Sequence, residues 1–424
     1  MINRKKTAAL MLGLTMSMSG TLMAAPADEA DKMAVPAGEV DLQARIEALE
    51  SQQRELLAQL EALKQQAGDS KEAKEAADKA QAELQEVKKE QKRFKLYGFA
   101  RVSYDHDNRA AASGHDWEKA DEKTNRRFYL NLMADYKIND YWTGHLQSET
   151  NQRYAYLGDG QYRKREDGQI QRIWLTGNLK NGVEVNVGRK WNMLGYQCSL
   201  LGATTDGIDV TVPITKRGLR AGAFYYGLAE YPEADVDFWG PMIKGPVAKN
   251  LDVFLAYAKL NKSKDAMVND PYSDNGAGPN KIVNPYGSHA FVISAATNVA
   301  RNLRLTADYV KTNAEPLAGA KDPVRRNHSW FARLDYKWTN PEVPHSFGAY
   351  VRYHNIGKTG YIYGDDSWGS VLKGTKGWTV GCRYVPYKNV VAEVLYERAK
   401  YNSADWETFQ GHRNLYRAMI DFYF

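Results

Sequence analysis

Guanidinium and carboxylate side chains recur at alternate positions from Phe94 to the C-terminus. "KLYGFARVSYD" sets Arg101 and Asp105 on one side of an extended chain. "RFYLNLMADY" opens with Arg127, "SWFARLDYKW" carries Arg333 and Asp335, "SFGAYVRYHN" carries Arg352, and the final segment carries Arg417 and Asp421. Charges at a period of two share one face of a strand. Fixed there, they order water and pass ions or polar solutes along, but nothing in the pattern activates a bond. No GxSxG, HExxH or CxxC spacing occurs, and the 8 histidines are scattered. His145 and His354 fall on the charged face without an obvious serine partner. The expectation is therefore no enzyme, no metal and no cofactor. Cys198 and Cys382 are too few for a disulfide framework, and their spacing leaves a single bridge open.

The opposite face of these segments is apolar, and together they demand strands. Leu96, Gly98, Ala100, Val102 and Tyr104 oppose Arg101 and Asp105; Tyr416, Ala418, Ile420, Phe422 and Phe424 oppose Arg417 and Asp421. Short turns fall at 137–140, 180–182, 213–218, 244–250, 299–302, 338–345 and 387–389. Longer polar links fall at 107–123, 152–168, 191–206, 228–236, 261–286, 313–327, 355–376 and 399–411. Short and long alternate throughout, which predicts about sixteen antiparallel strands with both ends on the short-turn side. A row of soluble sandwiches would use shorter strands and no such order of loops. The apolar faces begin or end on aromatic rings: Tyr104, Tyr136, Trp142, Tyr309, Tyr336, Tyr353, Trp378, Tyr384, Phe422 and Phe424. Strands crossing lipid must pair at every edge, so the sheet must close into a barrel. The fold class is all-β transmembrane, a barrel preceded by a helical coiled coil.

Composition agrees. Among 424 residues the hydrophobic fraction is 43%, and no apolar run of helical-span length follows the N-terminus. A net charge of +6 is too small a bias to suggest nucleic acid. Residues 1–27 read as a secretory signal, with a basic head at Arg4, Lys5 and Lys6, an apolar stretch and small residues; cleavage after Ala24 or Ala27 fits equally. Residues 28–39 form a flexible lead-in. Residues 40–93 carry heptads, with Leu42, Ile46, Leu49, Gln53, Leu56, Leu60, Leu63 and Ala67 as one seam. A second seam through Ala73, Ala77, Ala80, Leu84, Val87 and Gln91 to Phe94 follows a break at Gly68. Residues 94–424 are the barrel.

Signal, heptads, the first strand "LYGFARVSYD", "NVGRKWN" at 186–192 and the terminal Phe424 together resemble outer-membrane porins that carry a periplasmic coiled coil. The resemblance covers residues 40–424. It implies a homotrimer, a cell outer-membrane location with the coiled coil in the periplasm, and insertion guided by Phe424. It also implies that the link after "VGRKW" folds into the lumen as a constriction, with Trp191, Tyr196, Leu200 and Asp206 as its candidates. Some relatives hold the cell wall through a domain before the coiled coil; residues 28–39 are too short for one.

Parity then assigns a water-facing set: Arg101, Arg127, Arg333, Arg352, Arg417, Asp105, Asp335 and Asp421. The arginines either form a basic wall, giving a weak anion preference, or pair with the aspartates to keep a structured wet surface. Arg189 and Lys190 stay ambiguous, since a bulge would exchange them. The expected function is passive diffusion of small hydrophilic solutes and ions, and the alternative is a tether between membrane and cell wall.

Overall fold

The computed structural model describes residues 51, 54–55, 58, 78–86, 92–108, 123–153, 170–229, 235–263, 266–269, 281–284, 286–314, 327–357, 359–364, 370–371, 374–401 and 412–424. The signal segment, the lead-in and every residue of the first heptad seam lie outside the described residues. Two compact units divide at Met1–Lys92 and Arg93–Phe424. In the first, residues 78–86 are helical, and Ala80 and Leu84 of the second seam are its covered positions.

The second unit is a closed barrel. Its strands are β1 (Phe94–Asp107), β2 (Lys123–Lys137), β3 (Trp142–Arg153), β4 (Ile170–Asn178), β5 (Glu184–Leu194), β6 (Leu201–Pro213), β7 (Arg220–Leu228), β8 (Asp237–Ala248) and β9 (Leu251–Leu260). After a small ribbon of β10 (Met267–Asn269) and β11 (Lys281–Val283), the wall resumes with β12 (His289–Ala300), β13 (Leu303–Thr312) and β14 (His328–Tyr336). It ends with β15 (Phe347–Ile356), β16 (Thr375–Tyr387), β17 (Val390–Tyr401) and β18 (Arg413–Tyr423). Each wall strand pairs antiparallel with its neighbours in sequence, and β18 closes on β1. Sixteen strands thus form the wall, with the expected rhythm of short turns and long links.

Closure explains the aromatic terminus. Gly98 and Phe424 exchange both backbone hydrogen bonds, each at 3.1 Å, so the last residue is held by the first strand. Along the seam, Arg101 lies opposite Asp421 and Asp105 opposite Arg417, while Val102 lies opposite Ile420 on the other face. That other face points outward. Val102, Tyr104, Trp378, Tyr416, Ile420 and Phe422 are all exposed there. An exposed apolar belt around a sheet with no free edge is what a bilayer requires of a β protein.

The expected link at 191–206 is mostly strand. β5 runs to Leu194 and β6 starts at Leu201, paired residue for residue up to Leu194 opposite Leu201. Their neighbours stop earlier, at Ile173 opposite Arg189 on one side and Thr205 opposite Leu228 on the other. The upper part of this hairpin is therefore not paired with either neighbouring wall strand and leaves the wall.

Candidate functional site: the barrel interior

No register shift occurs along β5, so the alternation runs through "GRK" unbroken. Lys190 falls on the inner face with Asp209, 3.4 Å away. Arg189 lies on the opposite face and holds Asp206 through two hydrogen bonds of 2.7 and 2.6 Å. Gly188, directly below, has φ +123°, and a Cβ there would stand 2.6 Å from the Ile173 carbonyl. Only glycine allows β4 so close where the hairpin departs.

The hairpin lies against one half of the inner wall. Its tip reaches β9, β12 and β13: Tyr196 Oη donates to the Val253 carbonyl at 2.8 Å, and Asp308 accepts from the Gln197 amide and the Ser199 hydroxyl, both at 2.7 Å. Gly195, φ +97°, passes so near that a Cβ would meet Asp308 Oδ2 at 2.8 Å. Beneath the hairpin, Leu194, Leu200 and Leu201 join Phe224, Tyr226, Phe238, Phe254, Val292 and Val310 in a buried apolar cluster. The link between β15 and β16 also turns inward. Tyr363 bridges Leu201 in parallel, and Tyr361 and Val371 pack on Phe331 and Ile356. Two inward segments thus fill the lumen beside β7–β15 with a core like that of a soluble protein.

The hairpin's other face looks toward the polar half. Thr204, opposite Trp191 in the pairing, accepts from the Nε of Arg172 at 2.9 Å, and Arg172 is an inward residue of β4. Trp191 and Met193 share that face and remain exposed. Of the constriction candidates, Trp191 therefore borders the open side, and Tyr196 anchors the tip. Leu200, at the tip, is fully buried in the apolar cluster and anchors the inward hairpin. Asp206 belongs to β6 at the base of the hairpin and is tied to Arg189.

Opposite stands a wall of ion pairs. Arg101 is bidentate to Asp421 at 2.5 and 2.7 Å, and Arg417 to Asp105 at 2.7 and 2.9 Å. Arg333 holds Asp335 at 2.8 Å, Arg383 holds Glu393 at 2.7 Å, and Arg172 holds Glu149 at 2.6 Å. Charge-assisted forks of this kind fix both side chains. Arg333, Arg417 and Arg101 therefore do not form an uncompensated basic wall; each has its own carboxylate. Arg127 stands opposite Ser103 in the register. Five expected pore-lining residues are inward but covered, Asp335 and Asp421 among them. Arg417 and Asp105 are buried, as is Arg352, which donates to the hydroxyls of Ser370 and Thr379 beneath the inward link. Cys198, in the hairpin tip, and Cys382, exposed on the outer face, are not joined in a disulfide.

Sequence parity missed the apolar half of the interior, although a signal exists. "RAGAFYYGL" and "LDVFLAYAKL" are apolar at nearly every position, which is how a strand covered on both faces reads.

No family model and no curated protein matches this chain. Among solved structures, a multiple mutant of a porin from Rh. blastica covers 78% of this chain and all 100% of its own, at 11% identity and a TM-score of 0.46. A triple mutant of the Rhodopseudomonas blastica porin matches over the same shares at 12% identity and a TM-score of 0.44. The fold is a closed sixteen-stranded antiparallel barrel. That statement rests on the strand register itself, because likenesses this distant carry nothing about solutes or assembly.

Proposed function

We propose that this protein is an outer-membrane channel for passive diffusion of small hydrophilic solutes and ions. One observation carries the reading: a closed barrel, apolar outside, keeps ion-paired polar groups on one half of its interior while an inward hairpin fills the other. A merely structural barrel would have no use for a hydrated half-lumen, and a chemical site would need a nucleophile or metal set. No group of three or more metal-ligating side chains occurs among the described residues. The heptads at 40–93 lie in the periplasm and hold copies of the chain together as a trimer. Phe424, paired to Gly98, is the residue read by the insertion machinery. Selectivity is modest, because each accessible arginine of the seam has a carboxylate; a weak anion preference is its expected sign.

The test is single-channel recording in planar bilayers. The purified chain is expected to give stable ohmic steps. Folded, inserted protein that carries no current would overturn the channel reading and leave the barrel as a scaffold.

A further inference from the structure

The short-turn end of the lumen carries a feature that diffusion alone does not require. Trp338, in the turn after β14, is 66% exposed, and the guanidinium groups of Arg333 and Arg383 lie 6.0 and 5.8 Å from its ring. Arg333 also covers Tyr350 at 4.1 Å. From Arg383 the inner wall continues through Glu393 and Met419 to the seam. There Tyr423 and Phe99 stand 5.5 Å apart, and Arg101 lies 5.2 Å from the Phe99 ring. Aromatic rings and guanidinium groups thus alternate along one inward strip, β14 to β1, below the hairpin.

The geometry points to a binding strip for uncharged, polyhydroxylated rings, that is, short oligosaccharides, on the short-turn side of the lumen. It rests on the channel reading and adds a solute class to it. Charge excludes the obvious alternative. Arg333, Arg383 and Arg101 are matched one for one by Asp335, Glu393 and Asp421, so none of the three guanidinium groups carries uncompensated charge to attract an anion. A carboxylate solute would have to displace a partner already held in a fork. A sugar need displace nothing. Its hydroxyls both donate and accept, so they complete a carboxylate oxygen or a guanidinium N–H that the ion pair leaves over. Its C–H face packs on the exposed rings of Trp338 and Tyr423, amphipathic platforms that offer area at little entropic cost. A few polar groups beside apolar surface is the composition of small-molecule sites generally.

The experiment is ion-current block in planar bilayers by maltohexaose added to the short-turn side. Polyethylene glycol of similar mass and sodium benzoate serve as comparison probes. The expected result is saturable, reversible block by maltohexaose, weakened at least about fivefold in Trp338→Ala and again in Tyr423→Leu, with open conductance retained. Full conductance without sugar block would overturn the strip and leave the channel reading intact. Absence of conductance in the wild type would overturn the channel reading itself. Block of equal strength by polyethylene glycol, unchanged in Trp338→Ala, would mean steric plugging and no site. Block by benzoate but not by sugar would assign the strip to aromatic anions and overturn the proposal.

Discussion

At the scale of single residues, ion pairing separates side chains that parity alone treats alike. Arg333 is partly accessible and held by Asp335, whereas Arg352 is buried among hydroxyls under the inward link. Replacing Arg333 by Gln leaves Asp335 uncompensated beside the water path. The zero-current potential across a tenfold KCl gradient should then move toward cation selectivity, and the change should fade at about 1 M salt, where screening acts within ~3 Å. Arg352→Gln should leave that potential unchanged, because the group it alters does not border the path. Its cost should appear as stability, about 1–3 kcal/mol for buried hydrogen-bond partners left unmet, read by denaturant unfolding in detergent. A potential that shifts equally in both variants would mean the inward link does not cover Arg352 in the membrane. Asp308 is the third decisive residue, since one carboxylate oxygen fixes both Gln197 and Ser199 of the tip. Asp308→Ala should release the tip and convert steady current into flickering between conductance levels.

Elements add what residues cannot. The β5–β6 hairpin is stable away from the wall because Leu194, Leu200 and Leu201 find a second apolar surface on β7–β9, β12 and β13. Deleting Leu194–Thr204 removes the inward part of the hairpin, the proposed constriction, and conductance follows the narrowest section. Single-channel conductance should rise several-fold, with an apolar wall newly open to water. An unchanged value in a folded variant would place the narrowest section elsewhere. The outward face obeys the opposite rule. Ala100 lies on the belt of β1, opposite Phe422 of β18. An arginine there should destabilise the barrel by roughly 2–4 kcal/mol if it sits at mid-depth in lipid.

The whole molecule joins a barrel unit to a preceding unit rich in heptads, and its assembly is the property the barrel alone leaves open. Removing residues 28–92 should still yield an inserted, conducting barrel, because the seam between β1 and β18 begins beyond the deletion. On the proposed assembly the oligomer should be weaker, since the deletion removes the heptad seam. Crosslinking in native membranes, full length against truncated, measures this. If the full-length protein crosslinks only as a monomer, the heptads have another use.

Strand number, closure, outward face and the pairing of the terminal strand were legible in the sequence because each follows from a period of two and from turn lengths. Both are local properties of the chain. The alternation at Arg101, Ser103 and Asp105 against Val102 and Tyr104 needs no knowledge of the remaining strands. Its partner across the seam, Asp421 for Arg101 and Asp105 for Arg417, was open until register was known, because pairing joins residues 320 and 312 positions apart. The interior was harder still. Parity states that a side chain points inward, yet an inward position can meet water, an ion partner or another segment of protein. Leu200 and Arg352 met protein, Arg333 met its carboxylate, and Trp191 was left beside the open path. Those outcomes depend on where two long links fold in space, which is set by packing against distant strands and by no pattern within the links themselves.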